Sequence, residues 1–476
     1  MHHHMSRGLP RARLHRRFSP AITRAFSLKK EKCLDKIKPN HLLERDAIKD
    51  PQRDDKYVSI EVDCSAMKSA RDPWPGKLHK DMSGSVNSNW NELFSILSSF
   101  IDVRGPLTLA EYMQRALAHP THGYYMKKDV FGAQGDFTTA PEISQMFGEL
   151  IAIWCIATWK EMGSPDPIHI VELGPGRGSL MSDFLRSSRS FPTFHSALQV
   201  HMVEISPALR KIQEGMLKDV DGIRSLQWHT SLTHVPEGPL LVIAQEFFDA
   251  MPVHQFEYTE RGWCERLIDV HQKNGERFFR FVLSPGPTPA ARVLIGHQNL
   301  QGLRSGVSEE SSVITEQAQI GDQLEISPAS FTIMQEIARR ISANRGAALI
   351  VDYGHNHPST FSLRGIRNHA FVDALEEPGE IDLSANVDFK TLARYATAEP
   401  NISSLGPVPQ GLFLKTLGVE HRLAVLLENC ESDAQAQELY SAYKRLVDSD
   451  QMGTIFKVMA ISHSDISNIV GFDCAE

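Results

Sequence analysis

The stretch Ile168-His-Ile-Val-Glu-Leu-Gly-Pro-Gly-Arg-Gly-Ser-Leu180 decides how the chain around it folds. Its first part, Ile168–Leu173, is mostly apolar and β-branched and follows two prolines, which predicts a buried parallel strand. The residues after this strand include three glycines, Gly174, Gly176 and Gly178. Glycine allows a tight turn and places no Cβ in the path of a ligand. Apolar residues resume at helical spacing after Ser179, so the stretch predicts a strand, a glycine turn and a helix N-terminus that cradle a nucleotide.

The spacing of the glycines bears on which nucleotide binds. A dinucleotide fingerprint requires G-x-G-x-x-G, whereas this turn has Ser179 at the sixth position, which disfavours a dehydrogenase. Glu172, just before the first glycine, suits a ligand with a cationic group, such as the amino group of S-adenosylmethionine. Glu204 ends the next apolar strand, where it can accept hydrogen bonds from both ribose hydroxyls. We therefore expect S-adenosylmethionine on Glu172, Glu204 and the three glycines; a glycine loop that only packs is the alternative.

A polar turn precedes the long apolar helix predicted over 146–159. The turn contains Asp136, Thr138, Thr139, Pro141 and Gln145, and it is more polar than a segment that leads directly into a buried helix needs to be. Because it lies just before the first strand, we expect these five residues to close over the bound cofactor. The alternative is a capped loop in which Thr139 or Ser144 satisfies helix N–H groups.

Two carboxylates follow the strand predicted over 239–244, in the run Gln245-Glu246-Phe-Phe-Asp249. Ligands of doubly wound sheets bind at the carboxyl ends of the strands, so Gln245 is placed with the cofactor and Glu246 and Asp249 with the methyl acceptor. A guanidinium is protonated in water and needs carboxylates that orient it and hold its charge away from the attacking nitrogen. Glu246 is the first choice for this catalytic role and Asp249 the second. The alternative is that both acids complement a helix dipole.

Length and composition indicate a globular chain of 476 residues with 41% hydrophobic content. The longest uncharged apolar run, 150–159, is too short to cross a bilayer, so no membrane insertion is expected. The six cysteines form no C-x-x-C pair, which predicts neither a disulfide framework nor a zinc site. His355-Asn-His357 suggests a metal pair, but two histidines beside a proline are more often loop residues, and no metal is expected.

The first thirty residues contain no acidic residue but carry six arginines, with serines and apolar residues between them. This pattern is typical of a mitochondrial transit peptide, which we expect over 1–26 with cleavage after Phe26; a basic tail that binds nucleic acid is the alternative. Loss of the six arginines would lower the formal charge from −8 by six, to −14. An acidic body repels phosphate backbones, so the expected partner is a basic protein or peptide and not a nucleic acid. Residues 27–89 are polar and without periodicity, which predicts a largely disordered linker.

Beyond the carboxylate pair, alternating residues over 255–283 predict an antiparallel meander. A helix is predicted near 330–341, and a fifth buried strand over 347–354 with Asp352 and Tyr353 at its functional end. Helices near 388–398 and 412–428 and a late strand over 453–461 follow.

Several motifs in this order resemble the MidA family: residues 135–145, Val171-Glu-Leu-Gly-Pro-Gly-Arg-Gly178, Glu204-Ile-Ser-Pro207, Glu246-Phe-Phe-Asp249, Val351-Asp-Tyr-Gly-His355 and Gly379-Glu-Ile-Asp-Leu383. These are mitochondrial protein-arginine methyltransferases that assist assembly of respiratory complex I. The resemblance covers about residues 90–457 and implies S-adenosylmethionine as methyl donor, a matrix location, and an arginine of a complex I core subunit as acceptor. Asn386 lies where the family often has His or Asp, and Gln245 where bacterial relatives usually have Asn.

We therefore predict an α/β fold, a Rossmann-like class I S-adenosylmethionine-dependent methyltransferase with a seven-stranded sheet. The domain spans 90–470, with a β-rich insertion over 255–330 and a mostly helical insertion over 355–450. The reaction implied is in-line methyl transfer to a guanidino nitrogen, in which positioning supplies most of the acceleration. A non-catalytic assembly chaperone with this fold and a methyltransferase for another acceptor are the alternatives. A homodimer is a further candidate state.

Overall fold

The computed structural model describes residues 91–127, 138–304 and 318–472, without the side chains of 297–304. The predicted transit peptide, the predicted linker and Asp136 lie outside these described residues. The helices are α1 (Glu92–Arg104), α2 (Leu109–Ala118), α3 (Tyr124–Lys127), α4 (Ala140–Ile143), α5 (Gln145–Glu161), α6 (Ser179–Ser188), α7 (Pro192–Ala197), α8 (Pro207–Met216), α9 (Pro289–Arg304), α10 (Pro328–Asn344), α11 (Phe389–Thr397), α12 (Gln410–Thr416), α13 (Val419–Glu428), α14 (Asp433–Val447) and α15 (Met452–Ile455).

The strands form a main sheet, a second sheet and a small sheet of three strands. Their bounds are β1 (Leu107–Thr108), β2 (Ile168–Leu173), β3 (Leu198–Val203), β4 (Ser225–His229), β5 (Leu240–Gln245), β6 (His254–Thr259), β7 (Gly262–Lys273), β8 (Glu276–Leu283), β9 (Gln323–Ile326), β10 (Gly346–His355), β11 (Arg364–Arg367), β12 (Ala370–Val372), β13 (Asp382–Ser384), β14 (Val387–Asp388), β15 (Ile402–Pro409) and β16 (Phe456–His463).

The main sheet has the strand order β15-β16-β10-β5-β2-β3-β4, and the short strand β14 pairs with the end of β10. Strands β4, β3, β2, β5 and β10 run parallel, whereas β16 is antiparallel to both β10 and β15. Every residue of β2 and β5 is buried, because helices cover both faces of a parallel sheet, and this explains their apolar sequences. The predicted Rossmann-like α/β class is confirmed, and the central path of the sheet has the predicted seven strands.

Two apolar layers cover the faces of the main sheet. On one face, α5, α6 and α12 to α14 supply a core that includes Trp154, Phe184 and Phe413. On the other face, α10 and α11 pack through residues such as Met334 and Phe389. Within the described ranges, none of the helices combines the length and the apolar character that spanning a bilayer requires.

The second sheet confirms the meander predicted over 255–283. Strand β7 pairs antiparallel with both β6 and β8, and β9 joins at the edge of β6. Helices α1 and α2 pack against this sheet, with the rings of Phe94 and Phe279 4.4 Å apart. Helix α2 begins with a capping box between Thr108 and Glu111. The α1–α2 segment and the meander therefore share one apolar core.

The segment 355–450, predicted to be mostly helical, contains helices α11 to α14 and also strands β11 to β15. The helix predicted near 412–428 is two helices, α12 and α13, separated at Gly418, whose φ of 89° ends the helical path. Strand β15 and helix α14 were not predicted. β15 contains two prolines and only half-buried residues at most positions, so it lacks the alternation that marks a strand in sequence.

Candidate active site

A cavity of about 540 Å³ opens at the carboxyl ends of β2, β3, β5 and β10. It brings together most of the residues predicted from sequence: Glu172, Gly174, Gly176, Glu204, Thr138, Thr139, Pro141, Gln245, Glu246 and Asp249. Gly178 and Gln145 do not line it, since Gly178 is the N-cap of α6 and Gln145 begins α5. Asp136 lies outside the described residues.

The glycine turn requires glycine for two reasons. Gly174, Gly176 and Gly178 all have positive φ, at 60°, 54° and 87°. At Gly174 a Cβ would also lie 2.9 Å from Cδ2 of Phe247. The glycine turn can therefore pack this closely against the residues that follow β5 only because position 174 has no side chain. Gln213 fixes the turn from outside, because its Nε2 donates to the carbonyl oxygen of Gly176 at 2.7 Å.

Glu172 presents an unsatisfied carboxylate to the cavity. The side chain is buried at the end of β2, and its Oε2 accepts no hydrogen bond from the described residues. Burial, with a smaller contribution from the nearby Glu204, raises the pKa of Glu172 to about 8. A cationic ligand group beside Oε2 would relieve both the missing hydrogen bond and the repulsion. Glu172 therefore fits the amino group that its sequence position predicts.

Glu204 is held ready for a ligand by its surroundings. Its Oε1 accepts from the backbone N–H of Ser206 at 2.7 Å, and its Oε2 accepts from Nε2 of Gln213 at 3.3 Å. Burial raises the pKa of Glu204, and these hydrogen bonds oppose the rise. Gln213 is itself fixed by the indole N–H of Trp228 at 2.9 Å. The carboxylate is thus oriented and still has lone pairs for ribose hydroxyls.

The described part of the 136–145 turn covers the glycine turn and also contacts the acceptor end. Glu142 accepts a hydrogen bond from the hydroxyl of Ser179 and lies 3.5 Å from Nη1 of Arg177. The backbone N–H of Ala140 donates to Oε1 of Glu246 at 3.2 Å. Capping also occurs, as the alternative proposed, because the Ser144 side chain accepts from the first turn of α5. One segment therefore contacts the glycine turn and Glu246 and also caps α5.

Glu246 has a strained backbone at the centre of the site. Its φ of 48° is unusual for a residue with a side chain, and such strain is often found at functional sites. Oε1 accepts from Ala140 and from Nε2 of Gln245 at 2.8 Å, whereas the described residues supply no hydrogen bond to Oε2. Burial and the neighbouring Asp249 raise the pKa of Glu246 to about 7. Residues 246–253 form turns and no helix, which removes the helix-dipole alternative for both acids.

Asp249 is oriented by a tyrosine that sequence reasoning placed near the site without a role. The hydroxyl of Tyr353 donates to Oδ2 of Asp249, while Oδ1 is buried and has no partner among the described residues. Burial raises the pKa of Asp249, and the bond from Tyr353 opposes this. Asp352 holds the turn in place, because its Oδ2 accepts hydrogen bonds from the backbone N–H groups of Phe247, Phe248 and Asp249 at 3.0 to 3.2 Å.

A second group of residues that line the cavity was missed in the sequence. This group contains Arg364, Ile366, His369 and Phe371 from the β11–β12 hairpin, Arg445 from α14, Met452 and Ile455 from α15, and Phe456 at the start of β16. The guanidinium of Arg364 lies 4.8 Å from the Tyr353 ring centroid, and it donates to Asn386. Asn386 thus contacts the site through Arg364. No local pattern marks these residues, because only long-range packing brings them to the cavity.

The histidine pair was weighed above as a metal site. The rings of His355 and His357 stack with centroids 4.8 Å apart. In the part of the chain that the structure describes, no group of three or more His, Cys, Asp or Glu side chains is arranged to hold a metal ion.

Comparison with known proteins agrees with this geometry. Residues 150–408 match the family model Methyltransf_28, which describes S-adenosyl-L-methionine-dependent methyltransferases. The chain is 38% identical over 425 residues to the protein arginine methyltransferase NDUFAF7 homolog, mitochondrial, of Drosophila melanogaster, an alignment that covers 84% of this chain and 92% of that protein. It is also 38% identical over 398 residues to the mitochondrial protein arginine methyltransferase NDUFAF7 of Danio rerio, with 80% and 88% covered.

A solved structure shares the fold. It is a COG1565 superfamily member from Burkholderia thailandensis bound to S-adenosyl-homocysteine, with a TM-score of 0.64 and 24% identity, covering 80% of this chain and 94% of that one. The resemblance predicted from the motifs is confirmed by the curated relatives. Because the family model matches more than half of its length and these relatives match four fifths of it, the chain belongs to the family of the mitochondrial protein arginine methyltransferase NDUFAF7 and is an S-adenosyl-L-methionine-dependent methyltransferase.

Proposed function

We propose that this protein methylates a guanidino nitrogen of an arginine in a core subunit of mitochondrial respiratory complex I, and that the modification promotes assembly of the complex. The observation that carries the acceptor proposal is the pair Glu246 and Asp249, whose Oε2 and Oδ1 accept no hydrogen bond from the described residues. A guanidinium brings five N–H donors in a rigid planar fork and stays protonated, so it matches two carboxylates with free oxygens. The names of the relatives support arginine as the acceptor.

The cofactor end of the cavity fits S-adenosylmethionine. Glu172 would hold its amino group, Glu204 would hold its ribose hydroxyls, and Gly174 leaves the space that a Cβ would fill against Phe247. Thr138, Thr139 and Pro141 cover this end from the α4 side. When bound, the cofactor supplies an electrophilic methyl group on a sulfonium sulfur.

The acceptor end would orient the arginine and receive a proton. Glu246 and Asp249 draw the positive charge toward the nitrogens they contact, which leaves more lone-pair density on the remaining nitrogen. Methylation of a protonated guanidinium produces the methylated guanidinium and releases one proton, so deprotonation need not precede attack. Because burial places the pKa of Glu246 at about 7, its carboxylate can accept that proton near neutral pH.

The proposal is tested with recombinant, unmethylated complex I core subunits and tritiated S-adenosylmethionine, followed by mass spectrometry of the labelled peptide. We expect label on arginine with the wild-type protein. Glu246→Gln should lose at least a hundredfold in rate while its affinity for S-adenosylmethionine, measured by calorimetry, changes less than threefold. Asp269→Asn is the control, because Asp269 pairs with Arg280 on the second sheet, away from the cavity.

Two results would contradict the proposal. Cofactor binding without transfer to any core subunit would favour a non-catalytic assembly chaperone. Label on a lysine or another side chain would identify a methyltransferase with a different acceptor.

The proposal also includes a location and an assembly state. Both relatives are named as mitochondrial proteins, and a complex I core subunit as substrate leads us to propose the matrix. Protease protection of the full-length protein in isolated mitochondria, before and after rupture of the inner membrane, tests this location. Sedimentation of the purified protein would decide between a monomer and the homodimer that we include as a candidate.

A further inference from the structure

Two large apolar side chains from distant parts of the chain stay exposed where they line the cavity. The β11–β12 hairpin carries Phe371, which is 75% exposed, and α15 carries Ile455, which is 58% exposed. Both side chains nevertheless line the cavity. Large apolar side chains that stay exposed around a binding cavity are typical of a surface that a partner covers. We call Phe371, Ile455 and Arg445 the mouth.

Arg445 adds an uncompensated positive charge to the mouth. It is exposed in the last turn of α14 and lines the cavity. No carboxylate among the described residues lies within ion-pair distance of its guanidinium, whereas the adjacent Lys444 pairs with Asp448 at 3.2 Å. Arg177, on the glycine turn, pairs with Glu142. Arg445 is therefore a cation at the cavity that the described residues leave for another partner.

The position of Arg445 conflicts with a substrate that carries only positive charge. Helix α14 packs beside α4, and the N–H of Ala140 in α4 bonds to Glu246. The Arg445 charge reaches this carboxylate, because it is one of the groups that lower the pKa of Glu246 against the effect of burial. A cation that lines the same cavity and acts on Glu246 repels an incoming guanidinium unless the substrate segment also brings an anion.

Resting on the proposed function, we propose that the mouth docks a protein segment in which an acidic residue lies close in sequence to the acceptor arginine. Its carboxylate pairs with Arg445, and apolar neighbours of the arginine pack on Phe371 and Ile455. The arginine itself enters the cavity toward Glu246 and Asp249. Substrate segments rich in arginine and glycine, without acid, fit this mouth poorly because they bring no anion and little apolar surface.

The test uses synthetic peptides with one central arginine, leucine at the other flanking positions, and Glu, Ala or Lys placed in turn at each position within three residues of the arginine. Methyl transfer from tritiated S-adenosylmethionine gives kcat/KM for each peptide with the wild-type protein, R445E and K444E. K444E is the matched control, because it makes the same charge change one residue away on the same helix, outside the cavity lining.

We expect the wild type and K444E to prefer Glu over Lys by about threefold to fivefold at one position, the range of a partly exposed ion pair. R445E should reverse that preference at the same position. Transfer without any flank preference, or a preference that R445E leaves unchanged, would overturn the inference while the proposed function stands. Weaker S-adenosylmethionine binding by R445E with an unchanged flank preference would assign Arg445 to the cofactor carboxylate and also overturn it. No transfer to any arginine peptide, by protein that binds the cofactor, would contradict the proposed function itself.

Discussion

Glu246 combines three features: a left-handed backbone, a half-buried side chain, and a carboxylate oxygen, Oε2, that accepts no hydrogen bond from the described residues. The backbone strain and the partial desolvation both cost free energy, and Oε2 is left for a hydrogen bond that the described residues do not donate. A guanidinium at Oε2 would compensate the last two at once. At the scale of single residues, the site is therefore arranged for a cation that the folded protein does not supply.

The pH profile of methyl transfer tests the state of this residue. Burial and Asp249 raise the pKa of Glu246 to about 7, so the attractive carboxylate is lost as the pH falls below that value. At saturating S-adenosylmethionine, kcat/KM for the acceptor should rise roughly tenfold per unit below about pH 7 and level off above it. The residual activity of Glu246→Gln should not show this rise in kcat/KM between low pH and about pH 7. A wild-type profile that stays flat between pH 6 and 8 would show that Glu246 does not control acceptor binding.

Tyr353 gives a second prediction at this scale. Tyr353→Phe removes the hydroxyl that bonds to Oδ2 of Asp249, so this carboxylate loses its orientation. Because hydrogen bonds to charged groups contribute about 1.5 to 3 kcal/mol, KM for the acceptor should rise about tenfold or more. The Kd for S-adenosylmethionine should stay the same, which separates positioning from general damage. Tyr258→Phe, which removes the hydroxyl of a ring that packs edge-on against Trp263 on the second sheet, is the control and should keep its KM.

At the scale of elements, the site depends on one close approach between two parallel strands and their turns. The turn after β2 and the turn after β5 meet where Gly174 faces Phe247. Asp352, at the end of β10, holds the second turn through three backbone N–H groups. Neighbouring strand ends thus fix each other, and the carboxylates they carry inherit this rigidity.

Gly174→Ala tests the close approach between the turns. A methyl group there would meet Phe247 at 2.9 Å and would force a side chain into φ 60°, so we expect affinity for S-adenosylmethionine to fall at least tenfold. Gly163→Ala is a matched control, because Gly163 has φ 85° but nothing within 4 Å of its added Cβ. It should lose only about 1 kcal/mol of stability and keep its affinity. Equal losses of affinity in both variants, measured by calorimetry, would mean that backbone strain alone explains the effect.

At the scale of the whole molecule, buried carboxyl groups link folding to pH and to the cofactor. Glu172 and Glu246 have pKa values raised to about 8 and about 7, above the 4.5 expected when the chain is unfolded. Between the unfolded value of 4.5 and about pH 8, the folded protein therefore binds more protons than the unfolded chain. Its stability must fall as the pH rises through that window.

Thermal unfolding of the ligand-free protein should show this dependence, with a lower Tm at pH 8.5 than at pH 6.0. S-adenosylmethionine should raise Tm more at pH 8.5, because its amino group compensates the ionised Glu172. Glu172→Gln should reduce both effects, whereas Glu237→Gln, at an exposed ion pair with Arg339, should leave them unchanged. A Tm of the ligand-free wild type that rises between pH 6.0 and 8.5 would contradict the assigned pKa shifts.

The part of the site that could be predicted without coordinates consists mainly of residues at the carboxyl ends of the parallel strands. The β2 run, the glycine turn and the acids after β2, β3 and β5 were located correctly, since each is specified by residues adjacent in sequence. The meander of β6 to β8 was found for the same reason. The role of Asp352 was missed, because its position at a strand end says nothing about which N–H groups it accepts.

The sequence by itself determined the doubly wound core, the cofactor class and the carboxylates at the strand ends, because buried strands, tight turns and strand-end acids each leave a local pattern. Only the tertiary structure decided that Arg364, Phe371 and Arg445, from segments far along the chain, also line the cavity. It also decided that β16 enters antiparallel between β10 and β15. Such contacts depend on which surfaces pack together after long connecting segments have folded back. The local spacing of apolar and polar residues carries no information about that packing.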